Sequence, residues 1–367
     1  MKFTISREAL LKPLVLVAGV VERRQTLPIL ANILLVVEDN QLSLTGTDLE
    51  VELVGRALLS EASVAGSITV PARKLLDICK SLPDHAMIEI SQQDDHVFVR
   101  SARSKFKLST LPANDFPNVE DSPESFEFEL PQTSLRSLID KTGFAMAQQD
   151  VRYYLNGMLF EIKASQLRTV ATDGHRLATS VTPIALPEQA GQQLIVPRKG
   201  VLELARLMTD EEATVKLVIG ASHVRAFTQD FIFTSKLVDG KFPDYDRVLP
   251  KNGDKIVLID RVAMRGVLSR AAILSNEKYR GVRVTLSDTN LQVVANNPEQ
   301  EEAEENLMVD YQGVQIEIGF NVGYVLDVLS VLGSEEVKMT LSDANSSALL
   351  SDGDEGDAQY VIMPMRL

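Results

Sequence analysis

Three stretches of this 367-residue chain enter a helical segment in the same way. Phe3-Thr4-Ile5-Ser6 leads into the first, Phe128-Glu129-Leu130-Pro131 into the second and Val257-Leu258-Ile259-Asp260 into the third. The Leu10, Leu135 and Met264 positions stand 125 and 129 residues apart. A second signature falls between them at Val70-Pro71, Val196-Pro197 and Phe320-Asn321, with spacings of 126 and 124. Each repeat therefore has two matching halves. A period this long is a whole domain rather than a solenoid unit of about 20–50 residues. Tandem copies of one domain build a shape, which points away from a single catalytic pocket.

Further echoes keep the register. Leu42-Ser-Leu-Thr-Gly-Thr-Asp48 matches Leu167-Arg-Thr-Val-Ala-Thr-Asp173, with Leu291-Gln-Val-Val-Ala-Asn-Asn297 as a weaker third copy. The interval from Ser109 to Phe116-Pro117 matches that from Ser235 to Phe242-Pro243. Asp115–Ser125 is rich in proline and acid, and Pro250–Asp254 holds Pro, Gly and Asn. These resets place three domains at 1–125, 126–252 and 253–367. Apolar spacing such as Leu10, Leu14, Val17, Val21 predicts six helices, over Arg7–Val20, Pro71–Leu82, Gln132–Gln148, Pro197–Met208, Arg261–Leu274 and Asn321–Leu332. Ser6, Asp260 and Asn321 read as N-caps, and Pro71 and Pro197 suit a first helical turn.

About four strands are expected per half. The clearest are Ile33–Glu38, Gln41–Thr45, Met87–Ser91, His96–Ser101, Leu155–Ile162, Gln166–Ala171, Thr214–Ile219, Phe231–Lys236, Val282–Leu286, Leu291–Ala295, Val337–Leu341 and Tyr360–Pro364. The fold class is α+β, with two helices packed on antiparallel sheet in each domain.

The net charge of −14 argues against nucleic acid until its distribution is examined. The six predicted helices together carry +8, which leaves −22 for everything else. Basic helices in an acidic chain make sense if they share one surface facing one anionic partner. Helices pack about 10 Å apart, so six in a circle enclose a bore of only about 9 Å, whereas twelve enclose about 28 Å. Duplex DNA passes through the second alone. The arithmetic asks for two chains joined head to tail in a closed ring.

The single cysteine, Cys79, excludes an intrachain disulfide framework and a zinc site of several cysteines. Arg7, Glu8 and Lys12 interrupt the first apolar stretch, so it does not read as a signal peptide, and no run has the length of a membrane span. A cytoplasmic protein without membrane association is expected. No Gly-x-x-x-x-Gly-Lys-Ser/Thr motif appears, and no cofactor is expected.

Several longer motifs carry a family likeness. Val151-Arg-Tyr-Tyr-Leu-Asn-Gly157, Thr169-Val-Ala-Thr-Asp-Gly-His-Arg-Leu177, Phe231-Ile-Phe-Thr-Ser-Lys-Leu-Val-Asp-Gly240, Ala272-Ile-Leu-Ser-Asn-Glu-Lys278, Ala295 through Glu305 and Met363-Pro-Met-Arg-Leu367 resemble the bacterial sliding clamps, the β subunits of DNA polymerase III holoenzyme. The likeness covers the whole chain. It implies a homodimeric ring that encircles double-stranded DNA without sequence preference and tethers polymerase for processive synthesis. The implied partners are the clamp-loader complex, replicative and other DNA polymerases, and repair factors carrying clamp-binding peptides.

The resemblance also implies residue roles. DNA-touching positions map to Arg24, Gln149, Tyr153 and Tyr154. A partner-peptide groove maps to Leu155, Thr172, Gly174, His175, Arg176, Leu177, Pro243, Arg247, Val248, Asn321, Tyr324, Ser347, Val361, Met363, Pro364, Met365, Arg366 and Leu367. Tyr279 stands where a Phe is common, and Asn345 where relatives often have an apolar residue. The dimer contact maps to Phe106 and Leu108 against Ile273 and Leu274, with Lys74 and Arg103 facing the acidic run that includes Glu301 and Glu305. From the charge pattern itself, Arg73, Lys74, Lys80, Arg136, Lys141, Arg198, Lys199, Arg206, Arg261, Arg265 and Arg270 form an electrostatic lining, Lys74 also being a candidate for the interface.

Some of these residue types also admit other chemistries. Asp173 and His175 have the types of a catalytic pair, and a metal-dependent nuclease or transferase is the alternative they offer. No Ser or Cys nucleophile accompanies them, and the twin segment Thr47-Asp48-Leu49 lacks the histidine. The run Glu299–Glu305 attracts hard cations in principle, but it lacks the glycine and alternating ligands of a calcium loop. Pairing across an interface is its better functional reading. Met363 and Met365 suit either a core strand or an adaptable peptide site.

Overall fold

The computed structural model describes residues 1–22, 27–117, 119, 124–163, 165–185, 191–251, 253–353 and 356–366, with 124 and 125 as backbone only. One unit, β-α-β-β-β, recurs six times along the chain. The first repeat contains β1 (Lys2–Ser6), α1 (Arg7–Ala18), β2 (Asn32–Glu38), β3 (Gln41–Thr47) and β4 (Val51–Leu58), then β5 (Gly66–Pro71), α2 (Ala72–Ser81), β6 (Met87–Gln93), β7 (His96–Ser101) and β8 (Ser104–Ser109). The second contains β9 (Glu124–Pro131), α3 (Gln132–Thr142), β10 (Gly157–Lys163), β11 (Gln166–Thr172) and β12 (Arg176–Pro183), then β13 (Gln192–Pro197), α4 (Arg198–Leu207), β14 (Thr214–Gly220), β15 (His223–Phe227) and β16 (Phe231–Lys236). The third contains β17 (Lys255–Asp260), α5 (Arg261–Ala271), β18 (Gly281–Ser287), β19 (Asn290–Asn296) and β20 (Glu302–Met308), then β21 (Ile316–Asn321), α6 (Val322–Val331), β22 (Glu336–Leu341), β23 (Ala348–Ser351) and β24 (Ala358–Ile362).

The two halves of each repeat exchange their first strands. β5 pairs with β2 and β1 with β6; β13 pairs with β10 and β9 with β14; β21 pairs with β18 and β17 with β22. Neither half can form its four-stranded sheet without a strand from the other. All these pairings are antiparallel, so the short hairpins set the register and leave one face of each sheet for the helices.

The four-stranded sheets then join edge to edge by a rule. The last strand of one repeat's first half pairs with the last strand of the next repeat's second half. β4 pairs with β16, with Leu53 opposite Phe233, and β12 pairs with β24, with Leu177 opposite Val361. Two eight-stranded sheets result, β5-β2-β3-β4-β16-β15-β14-β9 and β13-β10-β11-β12-β24-β23-β22-β17. Two four-stranded sheets remain, β1-β6-β7-β8 and β20-β19-β18-β21, and in these β8 and β20 are outer strands.

This joining explains why the chain divides into two compact units, residues 1–132 with 206–237 and residues 133–205 with 238–367. Each unit contains one of the fused sheets. The six helices are slightly shorter than the periodicity suggested. Those over Gln132–Thr142 and Arg261–Ala271 give way to 3-10 turns at Gly143–Ala145 and Ala272–Leu274. The caps form at Ser6, Asp260 and Asn321, whose side chains accept from the N–H groups of Ala9, Ala263 and Gly323. Pro71 is itself the cap residue of α2, one position before the turn it was expected to open.

In the first repeat α1 buries Leu10, Leu14 and Val17 completely, each contributing on the order of 1.5–3 kcal/mol relative to exposure. It sits close to the sheet because Gly46 and Gly55 lack side chains. A Cβ on Gly46 would lie 2.8 Å from Val17, and one on Gly55 2.8 Å from Pro13.

The first residue of each repeat's first helix braces the end of its second. Arg7 Nε donates to the Cys79 carbonyl at 2.9 Å, and Arg261 Nε to the Ser334 carbonyl at 2.7 Å. In the middle repeat Gln132 Oε1 accepts from Asp210 N at 3.3 Å. Arg7 thus satisfies a carbonyl in the last turn of α2, and Arg261, whose Nη1 also donates to the Leu329 carbonyl at 3.3 Å, one in the last turn of α6, groups that a helix end leaves without partners. Arg206 does likewise for the end of α1, donating to the Leu16 carbonyl at 3.2 Å. Arg206 and Arg261 were expected in the cationic lining, and the structure assigns their guanidinium groups to helix ends.

Apart from the six strands that lead into the helices (β1, β5, β9, β13, β17 and β21), marked in the sequence only by their helix-entry signatures, the strands without a named segment in the sequence reading are β4, β8, β12, β15, β20 and β23. β8 and β20 carry exposed Lys105 and Lys107, or Glu302 and Glu304, in alternation with inward residues. A charged edge strand gives little hydrophobic signal, and this is how edges avoid indiscriminate pairing. Part of the acidic run, from Glu302 on, is thus a strand.

Candidate functional site

The turn between β11 and β12 is built by its own side chains. Asp173 Oδ1 accepts from the backbone N–H groups of His175 and Arg176 at 2.9 and 3.0 Å. Thr172 Oγ1 donates to the Arg176 carbonyl at 2.6 Å and accepts from Gly174 N at 3.1 Å. Gly174 has φ +88, and a Cβ there would also lie 3.0 Å from Arg152. The twin turn in the first repeat repeats this pattern, with Asp48 Oδ1 accepting from Glu50 and Val51 and Thr47 Oγ1 from Leu49.

This bonding gives Asp173 a role in shaping the turn, and nothing in it supports the catalytic alternative. The Asp173 carboxylate is directed at backbone N–H groups and at Arg176, 3.1 Å away, while the His175 ring stacks on Tyr324 with centroids 6.4 Å apart. Among the described residues no group of three or more His, Cys, Asp or Glu could hold a metal ion.

Behind the turn lies an apolar cluster of Leu159, Val170, Leu177, Ile195, Phe242, Tyr245 and Val361. Tyr154, Val238, Val248, Leu249 and Leu349 pack against it while partly exposed. Leu155 is buried. Pro243 and Arg247 are exposed on the segment that carries Tyr245, and Arg247 pairs with Asp244 at 2.8 Å. That segment is held down by Tyr245, whose hydroxyl donates to Glu161; burial and the neighbouring carboxylate push its pKa up.

The chain's last residues complete the site. Met363 N donates to the His175 carbonyl at 2.9 Å and Met365 N to the Gly319 carbonyl at 2.8 Å. Pro364 is half-buried between them, Met363 and Arg366 are exposed, and Ser347 is half-buried. Leu367 lies outside the described residues. Asn321 caps α6 and donates from Nδ2 to the Tyr279 carbonyl at 3.2 Å.

Arg176 occupies a different role from the expected surface contact. Its side chain is 12% exposed. It pairs with Asp173 and with Asp327 on α6, and Nη2 donates to the Phe144 carbonyl at 2.8 Å. Its guanidinium lies 4.5 Å from the Tyr324 ring centroid and 5.2 Å from that of Phe144. It is a tie between the second and third repeats. Sequence reading missed Phe144 and Asp327 because neither is near Arg176 in the chain, and missed Phe242 and Tyr245 although the Phe-Pro echo marked their segment.

The positions expected to touch DNA fall into two groups. Gln149, with φ +57, is exposed, and Tyr153 is 59% exposed with its ring edge-on to Tyr154 at 5.9 Å. Their loop is braced by Asp150, bonded to Arg152 Nε and Nη2 at 3.0 and 2.8 Å and held at a pKa of about 2 by that partner. Tyr154 is instead half-buried against the apolar cluster. Arg24 lies outside the described residues.

On the helices, Arg73, Lys74 and Lys80 are exposed along α2, and Arg136 is exposed on α3 beside Asp140 at 3.4 Å. Lys199 is half-buried at the start of α4 and Arg265 is exposed on α5. Three others differ from a bare cationic lining. Arg198 is half-buried, donating to the Met146 carbonyl at 3.4 Å, and burial lowers its pKa. Lys141 is bonded to both oxygens of Asp357 at 2.6 and 2.7 Å. Arg270 is bonded in the same two-pronged way to Glu305, at 2.7 and 2.8 Å.

The outer strands β8 and β20 differ in charge. Exposed Lys105 and Lys107 mark the first, with exposed Arg103 in the turn before it and with Phe106 half-buried and Leu108 buried on its inner side. Exposed Glu302 and Glu304 mark the second, next to exposed Glu301. Glu305 is already engaged by Arg270, a partner the expectation of a cross-interface pair did not include. Ile273 is 75% exposed and Leu274 half-buried beside this strand's sheet.

Comparison with known proteins follows the repeat. The chain matches the DNA polymerase III beta subunit in its N-terminal domain over residues 1–120, its central domain over 129–244 and its C-terminal domain over 246–366. A beta sliding clamp of Pseudomonas aeruginosa is 63% identical over 367 residues, covering 100% of both chains. The crystal structure of the DNA polymerase III subunit beta from that organism superposes with a TM-score of 0.99 at 63% identity, again over 100% of both. A structure of the Pseudomonas aeruginosa sliding clamp bound to griselimycin gives a TM-score of 0.97 at 63% identity and full coverage of both chains. Among the described residues no helix is long and apolar enough to cross a membrane.

Proposed function

This chain belongs to the DNA polymerase III beta-subunit family, the beta sliding clamps, and from that premise we propose that two copies close head to tail into a ring around duplex DNA. The ring slides freely and tethers the replicative polymerase. The three repeats at 1–125, 126–252 and 253–367 are its domains.

One observation carries the ring. The joining rule uses β4 with β16 and β12 with β24, and its third term is β20 with β8. These strands are outer strands of separate sheets, acidic on one and basic on the other. Supplied by two copies, the third joint forms twice and completes a closed, heterologous arrangement. Phe106 and Leu108 then meet Ile273 and Leu274, and Arg103 and Lys74 meet the acidic segment containing Glu301 and Glu305. Opposite charge favours this pairing and disfavours β8 with β8 or β20 with β20.

The exposed cations Arg73, Lys80 and Arg136, with half-buried Arg198 and Lys199, face phosphate as a sequence-blind lining, and Lys141 stands among them with its ammonium bonded to Asp357. Gln149, Tyr153 and Arg24 touch DNA at the rim, with Tyr154 beside them. The cluster capped by His175, Tyr324, Val248 and Met363 receives short peptides from polymerases, the clamp-loader complex and repair factors. Its other walls are Leu155, Thr172, Gly174, Leu177, Pro243, Arg247, Asn321, Ser347, Val361, Pro364, Met365, Arg366 and Leu367, with Arg176 bracing them. Two methionines at its mouth suit several partners. The griselimycin-bound relative supports a ligand site on this fold. The cytoplasm is the compartment this role requires.

The test is topological. The protein loaded on closed circular duplex should remain through gel filtration and be lost when the circle is cut. Equal retention on circular and linear DNA, or a monomer at micromolar concentration in sedimentation velocity, would sink the reading.

A further inference from the structure

We propose that Asp357 weakens this chain's hold on duplex DNA by taking Lys141 out of the cationic lining, and that Asp230 likewise neutralises Lys12, a cation of α1. The proposal rests on the lining assigned above. Lys141 is the tenth residue of α3, and its ammonium is bonded to both oxygens of Asp357 at 2.6 and 2.7 Å. The lysine side chain is 23% exposed. The aspartate is placed for this contact: its carbonyl accepts from Val181 N at 2.9 Å, which fixes it to the end of β12.

The arrangement recurs. Lys12 on α1 donates to Asp230 Oδ1 at 2.7 Å. Asp230 directly precedes β16 and Asp357 directly precedes β24, so each sits just before the last strand of a repeat. Each receives a lysine from the first helix of the repeat before it. The third first helix has Arg270 as its tenth residue, and Glu305 holds it with two bonds. All three first helices thus carry a cation neutralised by a carboxylate from the adjoining sheet.

A lysine alone is a monopole whose field reaches a phosphate about a Debye length away, roughly 8–10 Å at moderate salt. A lysine 2.7 Å from a carboxylate is a dipole with a much shorter reach. Every lysine paired in this way removes one phosphate contact and its released counterion. A ring held by topology needs no such contact, and each one adds friction to sliding.

The decisive experiment uses the full-length protein loaded on circular duplex DNA, reading its one-dimensional diffusion and the salt dependence of its DNA affinity. Asp357→Asn, with Asp357→Ser as a second variant against misfolding, should slow diffusion several-fold. It should steepen the slope of log K against log salt by about one per protomer. Lys141→Gln in the Asp357→Asn background should abolish that gain. Asp94→Asn, an equal charge change in an exposed turn, should give none.

Unchanged diffusion and slope in both Asp357 variants, at wild-type melting temperature, overturns the proposal. So does a gain that survives Lys141→Gln or is matched by Asp94→Asn, since it would then be a general charge effect. In the same assay Arg73→Gln with Lys80→Gln should loosen DNA. If that pair has no effect, the lining itself is wrong and this proposal falls with it.

Discussion

The guanidinium of Arg176 lies 4.5 Å from the ring centroid of Tyr324, although the two belong to different repeats and stand far apart in the chain. Asp327, three residues beyond Tyr324, pairs with the same guanidinium. Tyr324 in turn stacks against His175. A side chain that no peptide needs to touch therefore sets the position of two that line the proposed groove.

Arg176→Lys should weaken binding of a clamp-binding peptide by at least tenfold, through loss of the planar contacts with Tyr324 and Phe144 and of the bond to the Phe144 carbonyl. Replacing arginine at a stacked, several-bonded site costs about 2 kcal/mol. Fluorescence polarisation with a labelled peptide measures it. An affinity within twofold of wild type would show that the tie does not shape the groove.

Gly174→Ala should lower stability by about 1–2 kcal/mol, because φ +88 is a left-handed conformation and the added methyl meets Arg152. Thermal unfolding checks the cost, and peptide titration should show weaker binding as the turn relaxes. An unchanged melting temperature would mean that the turn shifts without penalty.

Reversing Lys105 and Lys107 to Glu should raise the dimer dissociation constant by about 100-fold or more, since like charges facing each other cost several kcal/mol. The partner variant, Glu302→Lys with Glu304→Lys, should fail alone in the same way. Mixing the two should restore one repaired joint per pair, read as association in sedimentation velocity. Failure of the mixture to associate would count against β8 pairing with β20.

Asp150 is held at a pKa of about 2 by Arg152, below the ordinary aspartate value of 3.8. A carboxylate with a lowered folded-state pKa stabilises its loop above the unfolded value and loses that effect as pH falls from about 4 towards 2. Backbone resonances of 149–156 should therefore stay constant above pH 5 and shift only in that acid window. Arg152→Gln should move the shift upward in pH. A titration of this loop centred near pH 4 in the wild type would contradict the bracing.

Burial pushes the Cys79 thiol to about 12. Because the thiolate is the reactive form, iodoacetamide at pH 8 should leave the native protein unlabelled and modify it fully in denaturant. Mass spectrometry distinguishes the two. Rapid labelling of the native protein would show that α2 opens readily.

The tandem architecture was legible in the residues because each repeat restates the same covalent facts. Cap residues, apolar spacing and turn chemistry act over a few positions, so Ser6, Asp260 and Asn321 announce their helices wherever they occur. Charge collected on predicted helices was also a property of local sequence. The amino-acid order alone thus determined three copies of one domain, the two halves within each and the helices' net sign. It could not assign those charges their neighbours. Arg206 reaching Leu16, Lys141 reaching Asp357 and Arg176 reaching Asp327 each depend on strands brought together across a repeat boundary. Backbone pairing at a charged edge leaves almost no hydrophobic trace, so the outer strands β8 and β20 became visible only in three dimensions. Tertiary structure therefore decided which cations remain open to solvent and which edges stay outermost, because both are settled by what the folded chain brings within a few ångströms.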